Sequence, residues 1–230
     1  MSRFSTIAEI QNQLELIAQP HRRTWKGFLN VMISGRSSAE VRFNGAYVPD
    51  IRKLAAKCDL SYNEISELLQ SKLHEERVLA VLHLVHKYSG DSEGVYQCYM
   101  KNTKMMNSWD LVDLSVYKVL GRHLCHLDRA PLLELSKSEL WWERRMAMVA
   151  TYEWIRSGDF DFTLRLSRKY LGDENRYVLM ATGWMLREVG KQNPQALRDF
   201  LIAAESVPVI VARYATEKMP ELQQQIARRK

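Results

Sequence analysis

The sequence predicts an all-α fold, a superhelical solenoid of helical repeats with a concave basic face, in one domain over residues 1–230. Apolar residues recur at helical spacing through nearly every segment. No run of alternating β-branched residues between turn signals indicates a strand. Small or apolar residues also recur at intervals of 34, 33 and 34, at Ala80, Leu114, Ala147 and Ala181. Periods of this order are typical of stacked helical hairpins.

Two capping boxes predict where helices begin. Thr6 and Glu9 precede an apolar stripe formed by Ile7, Ile10, Leu14 and Ile17. Ser61 and Glu64 repeat the signature before Ile65, Leu68 and Leu69. In this signature each side chain accepts a backbone N–H of the other residue, which satisfies donors that the first turn leaves open.

Prolines and glycines punctuate the remaining helices. Proline suits the first turn of a helix, so we expect helices to open at Pro49, Pro131 and Pro194. Glycine is favoured just after the last turn, so we expect helices to stop at Gly90, Gly158 and Gly190.

The composition favours an anionic partner inside the cell. With 33 Lys and Arg against 27 Asp and Glu, the formal net charge is +6, which suits nucleic acid first and an anionic membrane second. Three cysteines without a CxxC pair favour a reducing compartment. The first residues lack a signal-peptide pattern, and no apolar run is long enough to span a bilayer. We therefore expect a cytoplasmic protein without a membrane partner.

The segment NSWDLVDLS is the strongest candidate for chemistry. Trp109 and Asp113 lie one helical turn apart and therefore share a face. An indole beside a carboxylate suits a cation that forms during a reaction, such as an oxocarbenium sugar. The alternative is that Asp113, or its neighbour Asp110, is an ordinary acid at a helix N-terminus, favoured by the helix dipole.

Two later segments supply a second indole and several cations. GWMLREVGK contains Trp184 with Arg187 and Lys191, and WWERRMAMVA contains Arg144 and Arg145. With Lys104, these cations are the predicted DNA-binding set, because arginines and helix N-termini bind phosphate. The alternatives are ion pairs with Glu143 and Glu188, and a packing role for tryptophan, which we assign to Trp25, Trp141, Trp142 and Trp154.

Other chemistry has little support in the sequence. There is no GxxxxGK[ST], GxGxxG or GxSxG motif, which argues against nucleotide hydrolysis and serine-nucleophile chemistry. His123, Cys125 and His126 in HLCH are too crowded for one ion on a regular helix, apart from the two histidines. We therefore expect no metal and no other cofactor.

Three segments together resemble the AlkD family of bacterial DNA alkylation-repair glycosylases: KNTKMMNSWDLVDLS, LWWERRMAMVATYEWIR and ATGWMLREVGKQNP. The likeness covers most of residues 40–220. It implies a superhelix of HEAT-like repeats and a monomeric glycosylase of base excision repair. Such an enzyme releases cationic bases, such as 3-methyladenine and 7-methylguanine, from double-stranded DNA while the lesion stays stacked. It also implies that Asp113 is catalytic, that Trp109 and Trp184 face the DNA, and that Arg145 contacts a phosphate.

The sequence departs from the family's pattern mainly near its start. Residues 20–45 resemble the family poorly, Tyr47 stands where many relatives carry a basic residue, and PVIVARYATEK lacks an arginine beside its proline. Two other functions stay open for such a scaffold. One is a DNA-structure binder without catalysis, and the other is a protein-interaction adaptor, the common use of helical solenoids.

Overall fold

A computed structural model describes residues 3–19 and 41–228. Helices dominate these residues, and their only β-structure is two isolated bridges, Phe4 with Cys58 and Arg42 with Leu73. The predicted all-α class is therefore confirmed. The packing role predicted for Trp25 and most of the divergent stretch 20–45 lie outside the described residues. The chain forms two compact units, Met1–His123 and Leu124–Lys230.

The first unit is organised around one buried helix. Its α-helices of eight or more residues are α1 (Ile7–Leu16), α2 (Val48–Ala55), α3 (Tyr62–Leu69), α4 (His74–Lys87), α5 (Ser92–Lys101) and α6 (Trp109–Val116), and a π-helical turn, Tyr117–Gly121, follows α6. Helix α4 contacts α1, α2, α3, α5 and α6. Its first eleven residues are all buried, including the polar stretch HEER at its start. A helical stretch that is buried on every side belongs to a core, and its polar groups need partners there.

The second unit has the same plan. Its helices are α7 (Ala130–Leu135), α8 (Trp141–Ala150), α9 (Tyr152–Arg156), α10 (Asp161–Tyr170), α11 (Arg176–Gln192), α12 (Pro194–Ala203), α13 (Val209–Ala215) and α14 (Pro220–Ala227). Helix α11 contacts α8, α9, α10, α12 and α13. The packing role predicted for Trp141, Trp142 and Trp154 is confirmed, because all three are buried.

Most of the predicted helix ends are confirmed. Both capping boxes form, with Thr6 accepting from Glu9 and Ser61 from Glu64. The three prolines occupy first turns, and Gly158 follows α9 with a φ of +83°. The prediction for Gly190 is wrong, because this residue lies inside α11. A Cβ there would come within 2.4 Å of Leu197, so the glycine serves close packing with α12.

The repeat spacing coincides with equivalent positions in four helices. Ala80, Leu114, Ala147 and Ala181 are each the sixth or seventh residue of their helix, in α4, α6, α8 and α11. The three alanines are fully buried. Leu114 is half-buried and lines a pocket.

None of the helices in the described ranges is both long and apolar enough to cross a membrane.

Candidate functional site

A buried arginine fixes the start of α6. Arg77, on α4, has no exposed surface, and its guanidinium donates to the backbone oxygen of Met105 at 2.5 Å and to the side chain of Asn107. These acceptors lie in the turn that leads into α6. The first residue of α6 is Trp109, and Asp113 follows one turn later. The core of the unit therefore determines where these two side chains stand.

A second buried contact joins α6 to the first residue of α4. His74 Nε2 lies 2.7 Å from Asp110 Oδ2, and the imidazole packs against Phe43 with ring centroids 5.0 Å apart. Burial alone would raise the pKa of Asp110, but the charge and hydrogen bond of His74, together with hydrogen bonds from Ser108 and the Leu111 amide, leave the pKa below its ordinary value. Asp110 is thus held in its ionised form beside Asp113.

The segment before α2 is tied to the same helix start. The amide of Arg42 donates to Lys72 O at 2.8 Å, and the amide of His74 donates back to Arg42 O at 2.9 Å. The amides of Asn44 and Gly45 donate to the Glu75 carboxylate at 3.1 and 2.8 Å. Gly45 has a φ of +84°, a conformation that favours glycine.

These three parts enclose a pocket of about 400 Å³. Its described lining consists of one face of α6, the start of α4 and the segment around α2: Trp109, Asp110, Asp113, Leu114, His74, Glu75, Val78, Phe43, Gly45–Pro49 and Ile51. Trp109 and Asp113, which the sequence predicts to share a helix face, both line this cavity. Asp110 lines the same cavity, and its carboxylate contacts His74.

The charge of Asp113 also reaches the interior of the unit. Tyr99 is fully buried, and its hydroxyl lies 2.8 Å from Ser115 Oγ. Burial raises the pKa of Tyr99, and the negative charge of Asp113 raises it further. Asp113 is itself half-buried, so its carboxylate acts in a medium less polar than water, which strengthens its attraction for a cation.

In the second unit, Trp184 is half-buried on α11 and belongs to a charged cluster. Its indole N–H donates to Glu188 at 3.1 Å, and Lys191 lies 2.8 Å from the same carboxylate. Arg187 pairs with Glu217, and its Nε lies 3.5 Å from Glu188. The ion-pair alternative for Arg187 and Lys191 is therefore what the structure shows. The bracketing of one sugar by Trp109 and Trp184 stays a prediction.

Arg144 and Arg145 lie deeper than a surface phosphate site requires. Arg144 forms a two-pronged contact with Asp173 at 2.7 and 3.0 Å, and it also donates to the backbone oxygens of Ser138 and Glu139. Arg145 is 4% exposed and donates to the backbone oxygen of Tyr177. The contacts of Arg144 favour a structural role. For Arg145, phosphate binding stays a prediction that requires the side chain to leave Tyr177.

Lys104 is a predicted DNA-binding cation that lies on the surface. It lies in the short 3₁₀ turn Thr103–Met105 before α6, it is exposed, and it makes no ion pair with the described residues.

Sequence reasoning missed three other polar or aromatic residues of the pocket, His74, Glu75 and Phe43. The available signal was HEER at the start of a helix that is otherwise apolar, since buried charges there require partners.

Comparisons with known proteins agree with this architecture. The family model described as DNA alkylation repair enzyme matches residues 10–219. A predicted DNA alkylation repair enzyme from Enterococcus faecalis has a similar structure, with a TM-score of 0.65 and 15% identity over 95% of this chain and 99% of that chain. AlkD2 from Streptococcus mutans has a TM-score of 0.52 and 17% identity over 74% of this chain and 96% of its own. Among curated proteins no match was found.

At these identities the two structures establish likeness of fold. The family model spans most of the sequence and includes every residue of the pocket. The resemblance to the AlkD family is confirmed by these findings, and the chain belongs to the DNA alkylation repair enzyme family.

Proposed function

We propose that this protein is a monofunctional DNA glycosylase that releases cationic alkylated purines, 3-methyladenine and 7-methylguanine, from double-stranded DNA. The observation that carries the proposal is the presence of Trp109 and Asp113 on one wall of one pocket. The proposal further holds that the protein is a cytoplasmic monomer and that its partner is alkylated duplex DNA.

The chemistry follows from the charge of the lesion. Alkylation at N3 or N7 makes the purine a cation, so the bond between C1′ and the base breaks with its electron pair going to the base, which leaves neutral. No general acid, metal or other cofactor is needed for that departure. The deoxyribose is left as an oxocarbenium-like cation, and addition of water at C1′ with loss of a proton gives the abasic site.

In this scheme Asp113 stabilises the positive charge that develops on the sugar, and it orients the attacking water. Trp109 offers the face of its indole to the same charge, an attraction of about 0.5–2 kcal/mol. Trp184 is proposed to contact the sugar from the other side, and Lys104 and Arg145 to bind phosphates. Because Arg187 and Lys191 already pair with acids, their contribution to phosphate binding is expected to be smaller.

The test is Asp113→Asn, which keeps the shape of the side chain and removes its charge. Release of 7-methylguanine from methylated duplex DNA should fall about 100-fold or more, because a preorganised charge at the reacting centre is lost. Duplex binding should be retained. The matched control is Asp199→Asn, which alters an exposed carboxylate on α12 and should leave release unchanged.

Three outcomes would contradict the proposal. Undiminished release by Asp113→Asn would remove the assigned role of this residue. Duplex binding by the unaltered protein without release of any base would favour a DNA-structure binder, and no measurable duplex affinity at moderate salt would favour a protein-interaction adaptor.

A further inference from the structure

Three cations lie together near the end of α6, and the predicted DNA-binding set includes none of them. Lys118 is half-buried in the π-helical turn, Arg52 is exposed on α2, and Arg122 is exposed directly after the turn. Neither Arg52 nor Lys118 forms an ion pair with the described residues. Like charges that lie together without paired acids reduce the stability of the free protein, and an anionic ligand removes that cost.

The charges of the two arginines act on Lys118. Its ammonium lies 5.1 Å from the centroid of the Tyr117 ring, a contact that orients the partly buried side chain. Burial lowers the pKa of Lys118, and the positive charges of Arg52 and Arg122 lower it further. Each of these effects disfavours the ammonium form, and a bound anion would oppose all of them.

The cluster lies next to the proposed catalytic carboxylate. Lys118 follows Leu114 by one helical turn, and Leu114 lines the pocket beside Asp113. Arg52 directly follows Ile51, which lines the same pocket from α2. Lys118 comes five residues after Asp113, a separation of roughly 7 Å at a rise of about 1.5 Å per residue. A DNA strand advances about 3.4 Å per nucleotide, so this separation corresponds to about two nucleotides.

The π-helical turn is a second unusual feature of this place. The amide of Arg122 donates to Tyr117 O, five residues back instead of the usual four. Such turns are rare, and they occur frequently at functional sites. Here the turn follows directly after the helix that carries Asp113, and its second residue is Lys118. The backbone irregularity and the cation cluster therefore coincide.

We propose that Arg52, Lys118 and Arg122 form a binding site for the DNA backbone that holds a phosphate within about two nucleotides of the lesion. The inference rests on the proposed function and adds to it. Contacts to phosphates fix the register of a protein on a duplex without reading the sequence. The cluster would therefore position the damaged strand so that the sugar of the lesion meets Asp113.

Binding to an unmodified duplex tests the cluster apart from catalysis. Each phosphate contact contributes about 0.9 to the slope of log affinity against log salt, so Lys118→Gln should reduce the slope by about that amount. The same relation gives a loss of affinity of about 15-fold at 50 mM salt and about 4-fold at 200 mM. Arg52→Gln should act in the same direction. Fluorescence anisotropy over a salt series measures both variants.

The matched control is Lys53→Gln. Lys53 is next to Arg52 on α2, but it already pairs with Asp50 at 3.0 Å. Its loss should leave the slope unchanged. Unchanged slopes for both Arg52→Gln and Lys118→Gln would overturn the inference, and so would an equal reduction in the control.

Stability separates a binding role from a packing role. If the cluster serves an anion, Lys118→Gln relieves repulsion in the free protein, so the midpoint of chemical denaturation should stay the same or rise. A lower midpoint together with unchanged duplex affinity would assign Lys118 to packing and would overturn the inference.

Neutral linkages test the position along the strand. The duplex carries 7-methylguanine on a 2′-fluorinated sugar, whose electron-withdrawing fluorine opposes the oxocarbenium and prevents cleavage, and a methylphosphonate replaces one phosphate at a time. One linkage within about two nucleotides of the lesion should weaken binding of the unaltered protein but not of Lys118→Gln, which has already lost the contact. If no linkage in that range behaves so, the inference is overturned. Absence of base release from an ordinary sugar would overturn the proposed function, and the slopes on the unmodified duplex would still decide whether the cluster binds phosphate.

Discussion

At the scale of single residues, the pocket depends on polar groups far apart in sequence. Trp109 and Asp113 are predictable as a pair because one helical turn joins them. His74 and Asp110 are not, because they are 36 residues apart and meet only when α4 packs against α6. Each reads in sequence as an ordinary polar residue near a helix start. Their burial and mutual contact come from tertiary packing, which local spacing does not encode.

Gly45 is a residue whose backbone the pocket requires. Its φ of +84° is costly for a residue with a Cβ, so Gly45→Ala should lower the free energy of unfolding by about 1–2 kcal/mol. Chemical denaturation measures the loss. Gly172→Ala is the matched control, because a Cβ there meets nothing within 4 Å and the backbone does not have positive φ. Equal stability of the two variants would show that the conformation of Gly45 is not required.

At the scale of helices, local chemistry accounts for most boundaries. The capping boxes and the prolines act within one turn, so a short stretch of sequence contains the whole signal. Gly190 shows the limit of this reasoning. A glycine that ends a helix and a glycine that admits a neighbouring side chain look alike in sequence, and only the proximity of Leu197 distinguishes them.

The contact between α11 and α13 depends on another glycine. A Cβ at Gly183 would lie 2.6 Å from Tyr214 Cβ and 2.9 Å from the backbone oxygen of Val211, so the helices would have to separate. Gly183→Ala should therefore lower the free energy of unfolding by about 1–3 kcal/mol despite the better helix propensity of alanine. Thermal and chemical denaturation measure it. Gly90→Ala, whose Cβ would meet only Lys87 O at 3.6 Å, should be nearly neutral; a loss as large there would argue against the packing explanation.

At the scale of the whole molecule, the net charge of +6 correctly indicated a family that acts on DNA, but it did not show which cations are accessible. Arg144 is a plausible phosphate ligand in sequence, yet its donors are used by Asp173 and by backbone oxygens. Counting charges cannot separate an internal ion pair from a surface one. Among the predicted cations Lys104 is exposed and makes no ion pair with the described residues, and phosphate binding by Lys104 and Arg145 stays a prediction.

The salt dependence of duplex binding tests whether Lys104 contributes more to phosphate binding than Lys191 does. Each phosphate neutralised contributes about 0.9 to the slope of log affinity against log salt, so Lys104→Ala should reduce the slope by about that amount. Lys191→Ala should change it less, because Lys191 already pairs with Glu188 at 2.8 Å. Fluorescence anisotropy over a salt series measures both. An equal reduction for the two variants would show that the ion pair opens on binding DNA.

Arg42 forms backbone hydrogen bonds with Lys72 and His74, and the segment after it bonds the Glu75 carboxylate. These bonds affect the conformational entropy of binding. Folding of the first unit already orders this side of the pocket, so a ligand that binds there does not have to order a flexible segment. Less of the interaction energy is then spent on ordering the host.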